Sequence, residues 1–312
     1  MSIRVHGQRE RSVAPWFKGF PDKIKVMTAL KLIECPRDAM QGLHTFIPTD
    51  RKVEYLDSLL RVGFDTIDIG SFVSPKAIPQ LSDTALVLAR IDVIDSRSKL
   101  LVIVANERGA EEAVKQERVS YLGYPFSISE TFQQRNTNTS IAGSWQRIAR
   151  IAEITQAAGK ELVVYISMAF GNPYGDPWNA EVALHWTRRL VEELGVRIIA
   201  LSDTVGVAEP TDIRSIFSAL IPAMPGVEFG AHLHCTPDNW QAKTAAAWEA
   251  GCRRFDGALK GYGGCPMAED ELVGNLAMDA FVADLERRGI RTGIDLEALE
   301  RSVRLAGTVF PG

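Results

Sequence analysis

Short apolar runs alternate with amphipathic stretches along most of the chain. The apolar runs are rich in β-branched and large hydrophobic residues, which is typical of buried strands. They predict eight strands, at residues 30–36, 65–71, 100–106, 120–128, 161–170, 197–204, 228–234 and 254–260. Eight strands separated by helical stretches predict an α/β protein, a (β/α)8 TIM barrel with extra C-terminal helices after the last strand.

The intervening stretches have the periodicity of helices that bury one face. After Pro210, apolar residues recur at the i, i+3, i+4 and i+7 spacing, at Ile213, Ile216, Phe217 and Leu220. Residues 144–159 and 179–195 carry similar stripes. The first of these begins at Ser and the second at Asn, and both end at Gly, which are common helix boundary residues.

A doubly wound open sheet is the main alternative fold. Such a sheet usually has a glycine-rich loop after its first strand, but here the first strand is followed by Cys35, Pro36, Arg37 and Asp38. The barrel is therefore favoured. We expect residues 1–24 to form an N-terminal extension and residues 25–312 to form one catalytic barrel domain that includes the C-terminal helices.

Composition excludes several classes of protein. The 312-residue chain has a net charge of -4, whereas nucleic-acid-binding proteins are usually basic. No apolar stretch reaches the length of a membrane span, and the N-terminus lacks the apolar segment of a secretory signal. The four cysteines do not have the spacing of a disulfide framework or a zinc knuckle. We expect a cytoplasmic protein with reduced thiols that binds neither nucleic acid nor membrane.

Polar residues collect at the predicted carboxyl ends of the strands, where TIM barrels build their active sites. They are Arg37 and Asp38 after strand one, Asp68 and Ser71 after strand two, Ser202, Asp203 and Thr204 after strand six, and His232 and His234 after strand seven. Strand eight leads to Lys260 and then to a glycine loop containing Cys265.

His232 and His234 form the sharpest local feature. Because side chains alternate along a strand, both imidazoles lie on one face. With the carboxylate of Asp38 at the same rim, they make a candidate three-ligand metal site. The alternative is a pair of structural histidines hydrogen-bonded at a strand end, with Asp38 acting as a helix cap or turn residue and Arg37 pairing with a rim carboxylate.

Two further features suggest acid–base chemistry at this rim. Arg37 would place a fixed positive charge where an enolate oxygen develops. Cys265 lies in the run Gly-Tyr-Gly-Gly-Cys-Pro, where glycines allow close approach to a ligand or movement of the loop. Its thiol could transfer a proton, although a small hydrophobic residue in a tight turn is the simpler interpretation. Gly274 and Asn275 follow, in a predicted turn before a helix.

These motifs together resemble the 3-hydroxy-3-methylglutaryl-CoA (HMG-CoA) lyase family of TIM-barrel metallolyases. The matching runs, in the family's order, are PRD with Gln41, SFVSPK with Pro79 and Gln80, SDTVGV from Ser202, HLH at 232–234, GYGGCP, and GN at 274–275. The resemblance covers residues 30 to 307. It implies cleavage of HMG-CoA to acetyl-CoA and acetoacetate, a reaction of leucine degradation and ketone-body metabolism, and a homodimer.

The resemblance also implies a role for each matched residue. Asp38, His232, His234 and Asn275 would bind Mg²⁺ or Mn²⁺, Arg37 would neutralise the thioester enolate, and Cys265 would act as an acid. Asp38 or His232 would take the proton of the C3 hydroxyl, and the sequence leaves both open. Supporting or substrate-binding roles fall to Gln41, Asp68, Ser71, Asp203, Thr204, Gly263 and Gly264. Lys76, Arg135 and Lys260 are candidates for binding coenzyme A because of their charge and predicted rim position.

Three positions depart from the family pattern. Asp68 stands where the family usually has Glu, Cys235 where it has Asp after the two histidines, and Ala39-Met40 where it has Gly-Leu. The loss of a carboxylate at Cys235 is expected to alter metal affinity, because such groups orient the metal ligands. The changes also leave room for a related 3-hydroxyacyl-CoA with a longer C3 substituent.

Three other functions compete with the lyase. A Claisen-type synthase of the isopropylmalate or citramalate type shares PRD and HxH but carries Gly-Glu-Arg-x-Gly-Asn where this chain has the cysteine loop. An aldolase acting on a free 2-oxo acid would not need coenzyme A. A non-catalytic binding barrel would not need the metal ligands together with Arg37 and Cys265. The cysteine loop and the complete ligand set favour the lyase.

Overall fold

The computed structural model describes residues 29–264 and 273–310. The predicted N-terminal extension and Cys265 lie outside the described residues. The strands are β1 (Lys31–Glu34), β2 (Thr66–Ser71), β3 (Lys99–Ile103), β4 (Val119–Ser127), β5 (Glu161–Ser167), β6 (Ile198–Asp203), β7 (Glu228–Cys235), β8 (Arg254–Gly257) and β9 (Gly274–Asn275). The helices are α1 (Pro36–Gln41), α2 (Thr49–Leu60), α3 (Thr84–Arg90), α4 (Glu107–Val114), α5 (Glu130–Thr137), α6 (Ile141–Ala157), α7 (Ala180–Leu194), α8 (Pro210–Ala223), α9 (Trp240–Glu249), α10 (Met278–Arg287) and α11 (Leu296–Val309).

The first eight strands close into a parallel barrel. Each pairs in parallel with the strand before it in sequence, β8 pairs with β1, and β6 pairs with β7. The ninth strand, β9, pairs antiparallel with the carboxyl end of β7, with Asn275 opposite His234. The predicted (β/α)8 barrel is therefore confirmed, and every predicted strand overlaps an observed one.

Two apolar layers hold the barrel together. The larger layer lies between the strands and the surrounding helices, and a smaller cluster of β3, β4, β5 and β6 side chains, including Leu101, Tyr121 and Tyr165, lies apart from it. The predicted C-terminal helices pack on the barrel. Phe281 of α10 contacts Phe255 of β8 with ring centroids 4.9 Å apart, and α11 leads to Phe310, whose ring meets Tyr55 of α2.

Strand and helix ends differ from the predictions in ways that the local sequence explains. Strand β1 ends at Glu34 because Pro36 starts α1, where its missing N–H costs nothing. Helix α6 begins before Ser144, at Ile141, because the side chain of Ser140 caps it by accepting the Gly143 N–H. Ser144 is instead buried, and its hydroxyl lies 2.9 Å from that of Tyr124.

Within the described residues, no helix combines the length and the apolar content needed to cross a membrane.

Candidate active site

A cavity of about 360 Å³ opens at the carboxyl ends of the strands. Seven residues singled out in the sequence line it, namely Arg37, Asp38, Gln41, Ser202, Thr204, His232 and His234. Other residues that line the cavity are apolar, including Val73, Ile78, Ile103 and Phe132. The cavity thus has a polar floor and a partly apolar wall, as a site for a polar reacting group on a longer acyl chain requires.

Asp38, His232 and His234 converge at the floor of this cavity. Helix α1 carries Asp38 and strand β7 carries both histidines, and one ligand atom from each of the three lies within 4.8 Å of the others. All three are buried, between 4% and 8% exposed. The alternation of side chains along β7 therefore brings the imidazoles together as the sequence predicts, with ring centroids 5.5 Å apart.

Asn275 completes the group from the other side. Its Nδ2 donates to Asp38 Oδ2 at 2.9 Å and to the carbonyl of Tyr262 at 2.8 Å. Its buried Oδ1 has no hydrogen-bond partner within the described residues. The predicted turn at this position is the short strand β9, whose pairing with β7 sets Asn275 beside His234.

The donor set fits a divalent cation. It offers a carboxylate, two imidazoles and an amide oxygen, and among the described residues His234 Nδ1 and Asn275 Oδ1 are buried without partners. Buried polar atoms are ordinarily hydrogen-bonded, so these two unpaired atoms are available to bind a cation. Mixed nitrogen and oxygen ligands with open positions suit a divalent cation that also binds substrate oxygens.

Arg37 is held between two carboxylates. Its Nη1 donates to Asp38 Oδ1 at 2.6 Å and to Gln41 Oε1 at 3.0 Å. Its Nε and Nη2 both donate to Asp68 Oδ2, at 2.9 and 2.6 Å. The alternative in which Arg37 pairs with a rim carboxylate is therefore observed, and the same guanidinium also lines the cavity. A cation fixed in this way is preorganised to stabilise charge that develops nearby.

The charges of this cluster separate the pKa values of its carboxyls. Burial alone would raise the pKa of Asp38, but Arg37 and then His232 and His234 lower it to about 2. For Asp68, burial outweighs Arg37 and raises the pKa to about 6. Asp38 is therefore anionic at neutral pH, the state that a metal ligand needs.

The two histidines are also distinguished by their surroundings. Burial and the neighbouring His232 lower the pKa of His234 to about 4. Burial acts in the same direction on His232, but Asp256 and Asp38 outweigh it and raise its pKa. His234 is thus neutral and ready to bind a metal, whereas a proton competes for His232.

The glycine loop after β8 packs against the ligand set. Gly263 has φ +86°, and a Cβ there would lie 2.7 Å from Ala39 Cα and 2.8 Å from the carbonyl of Asp38. A Cβ on Gly264 would lie 2.4 Å from the Val273 carbonyl. Glycine is therefore required at both positions for the loop to lie this close. Cys265, the predicted acid, lies outside the described residues.

Three predicted supporting residues hold the framework and do not line the cavity. Asp68 anchors Arg37. Ser71, at the end of β2, accepts the Val73 N–H at 3.0 Å and so shapes the following loop. Asp203 pairs with Lys243 at 2.7 Å and accepts the Ala208 N–H.

Sequence reasoning missed two buried ionic residues. Lys243 of α9 is 2% exposed and donates to Asp203, to the carbonyl of His234 at 2.9 Å and to that of Gly206. Nothing in its helical stretch marked it as more than a surface lysine. The second residue is Asp256 of β8, whose Oδ2 lies 3.5 Å from His232 Nδ1. The alternation of β8 could have revealed it, since Arg254 and Asp256 share one face of a buried strand.

Comparison with known proteins identifies the family of the chain. A family model described as HMGL-like matches residues 30–305. Mouse mitochondrial hydroxymethylglutaryl-CoA lyase is 32% identical, with 90% of each chain covered. The chain belongs to the hydroxymethylglutaryl-CoA lyase family. The family member YngG of Bacillus subtilis is also 32% identical, over 85% of this chain and 87% of its own.

Solved structures of HMG-CoA lyases have the same fold. The enzyme from Acinetobacter baumannii, in complex with coenzyme A and 3-methylmalate, superposes with a TM-score of 0.83, at 31% identity and with 90% of this chain and 91% of that chain covered. The enzyme from Pseudomonas aeruginosa gives 0.84 at 30% identity, over 91% and 94% of the two chains.

Proposed function

We propose that this protein is a metal-dependent carbon–carbon lyase that cleaves HMG-CoA to acetyl-CoA and acetoacetate. The observation that supports this most directly is the joint placement of Asp38, His232 and His234 beside Arg37 in one cavity. A metal site next to a fixed guanidinium suits a reaction that ionises a hydroxyl and releases an enolate.

Asp38, His232, His234 and Asn275 would hold Mg²⁺ or Mn²⁺. The ion would supply Lewis acidity that lowers the pKa of the C3 hydroxyl of the substrate. A Claisen-type synthase would use the same ligands, but the cysteine loop in this sequence favours cleavage.

Asp38 and His232 are the two candidate bases for the C3 hydroxyl proton. Both oxygens of Asp38 already accept hydrogen bonds, Oδ1 from Arg37 and Oδ2 from Asn275. His232 has its Nδ1 next to Asp256, which leaves Nε2 for the site. Loss of that proton forms the C3 carbonyl as the C2–C3 bond breaks, and the bonding electrons pass to the thioester as an enolate.

Arg37 then faces the developing charge. Its two carboxylate partners keep the guanidinium in one orientation, so little reorganisation is needed when the enolate forms. Protonation of C2 completes acetyl-CoA, and Cys265 in the adjoining glycine loop is the proposed donor. The ketone released from C3 is acetoacetate.

Coenzyme A would enter over the rim. Lys76 in the loop after β2, Arg135 on α5 and Lys260 after β8 are all exposed, as cations that meet phosphate groups must be. Arg135 lies 4.8 Å from the ring of Tyr174, which restricts its position. A homodimer active in leucine degradation is part of the same proposal and rests on the family resemblance. A cytoplasmic location is also proposed and rests on the cysteine pattern of the sequence.

The test is product formation by purified protein with HMG-CoA and Mg²⁺ or Mn²⁺. We expect acetyl-CoA and acetoacetate in equal amounts, and no products after EDTA treatment. Turnover of a 3-hydroxyacyl-CoA with a longer C3 substituent, without turnover of HMG-CoA, would contradict the proposed substrate. Condensation of acetyl-CoA with a 2-oxo acid, without any cleavage, would contradict the proposed reaction.

A further inference from the structure

The barrel interior contains a buried ionic series below the metal ligands. Arg254 and Asp256 lie two residues apart on β8, so both point to the same face, and each is 1% exposed. Arg254 Nη1 donates to Glu228 Oε1 at 3.1 Å, toward the amino ends of the strands. Gly230 of β7 lies opposite Arg254, and a Cβ there would lie 2.9 Å from Arg254 Cδ. The glycine therefore makes room for the arginine.

Asp256 connects this series to His232. The two residues are paired in the β7–β8 register, and Asp256 Oδ2 lies 3.5 Å from His232 Nδ1. Arg254 Nε lies 3.8 Å from Asp256 Oδ1. Among the described residues, neither carboxylate oxygen of Asp256 nor His232 Nδ1 has a hydrogen-bond partner. An ionised carboxylate buried in this way is costly unless a neighbouring charge and a donor compensate for it.

We propose that Asp256 is a positioning residue for His232. Its carboxylate faces Nδ1 and favours a proton on that nitrogen, which leaves Nε2 as the unprotonated nitrogen presented to the metal, and the neighbouring Arg254 stabilises the carboxylate. Carboxylates behind metal-binding histidines fix the ring orientation and strengthen the ligand in this way. The inference rests on the proposed metal site.

A second cation below the site is the competing interpretation. Cys35, His232 and Asp256 also place one possible ligand atom each within 4.8 Å of the others. The guanidinium of Arg254, next to Asp256, would repel such an ion. Arg254 Nε and Nη2 have no hydrogen-bond partners among the described residues. The Asp256 carboxylate lies between the His232 imidazole and the Arg254 guanidinium. The geometry therefore favours positioning of His232 over binding of a second ion.

The test compares Mn²⁺ affinity in the wild type and in Asp256→Asn by calorimetric titration. Removing such a carboxylate is expected to weaken Mn²⁺ binding by about 10–100-fold. The matched control is Asp83→Asn. It removes a half-buried carboxylate that pairs with the buried Lys52 at 2.7 Å, and neither residue lines the cavity. The control should lose stability but keep the wild-type affinity.

A second measurement needs no variant. Nitrogen-15 spectra of the histidine rings in the Mg²⁺-loaded protein should show His232 with its proton on Nδ1. A proton on Nε2 would overturn the proposal. So would equal Mn²⁺ affinity in wild type and Asp256→Asn, or equal weakening in Asp83→Asn. A wild-type protein that binds no Mn²⁺ would instead overturn the metal site on which the inference rests.

Discussion

Arg37 directs two nitrogens, Nε at 2.9 Å and Nη2 at 2.6 Å, at a single oxygen of Asp68. The other oxygen of Asp68 is buried without a partner in the described structure. Asp68 stands where the HMG-CoA lyase family usually has Glu, and the shorter side chain still reaches the guanidinium. The orientation of Arg37 therefore depends on Asp68 together with Asp38.

Weakening this anchor should slow the chemical step. We predict that Asp68→Ala lowers kcat by about 10–100-fold and changes Mn²⁺ affinity less, because Asp68 orients Arg37 and is not itself a metal ligand. Steady-state kinetics and metal titration would separate the two effects. Asp68→Glu is the matched control and should retain most activity. Equal losses in both variants would contradict the anchoring role.

Metal affinity should depend on pH through His232. Its pKa is raised above the ordinary value, while that of His234 is lowered to about 4 and that of Asp38 to about 2. Because its pKa is raised, His232 is the ligand for which a proton competes most strongly with the metal. Mn²⁺ affinity should rise as the pH is raised from mildly acidic to mildly alkaline values, with proton release on binding. Affinity that is flat or falls over that interval would contradict the assignment.

The close approach of the glycine loop gives a steric prediction. Gly263→Ala would push a methyl group against Asp38 and against Asn275 Nδ2, which lies 2.9 Å from the ideal Cβ position. Activity should fall by about 10–100-fold, because small displacements of site residues are costly.

Gly159→Ala is the control for this substitution. Gly159 has φ +68° but no heavy atom within 4 Å of an added Cβ. Both variants should lose about 1–2 kcal/mol of stability from a side chain in the left-handed region. Kinetic assays should find full activity in Gly159→Ala only. Comparable activity in the two variants would contradict the steric prediction, because it would mean that the glycine loop moves without displacing the metal ligands.

The buried pair of Lys243 and Asp203 should contribute to stability. Lys243→Met leaves the buried carboxylate of Asp203 uncompensated, and we expect a loss of about 3–5 kcal/mol in the free energy of unfolding measured with urea. The double variant Lys243→Met, Asp203→Asn should be less destabilised than the single variant. Additive losses would mean that the two residues act independently.

The sequence predicted the barrel because its strands and helices have clear hydrophobic periods. His232 and His234 were predicted to share a face, since alternation along a strand is a local property. Their approach to Asp38 followed only from a general rule for TIM barrels, that strand ends meet at one rim. Both expectations are confirmed for these described residues.

Other features depend on contacts that a sequence does not encode locally. Lys243 lies in a helix rich in small residues, and its three acceptors come from β6, β7 and the intervening loop. Asn275 was predicted in a turn, and the short strand β9 exists because it pairs with β7. Helix α6 starts earlier than the sequence predicts because the side chain of Ser140 caps it by accepting the Gly143 N–H, whereas Ser144 lies buried within the helix.

The most direct test of the proposed lyase is acetoacetate release from HMG-CoA with Mn²⁺, measured in the wild type and in Asp38→Ala and Cys265→Ala. The control is Asp83→Asn, which alters a half-buried carboxylate that does not line the cavity. We predict turnover in the wild type and the control, none after EDTA treatment, and a loss of at least about 100-fold in both site variants. Wild-type rates in Asp38→Ala, or turnover that persists in EDTA, would contradict the proposal.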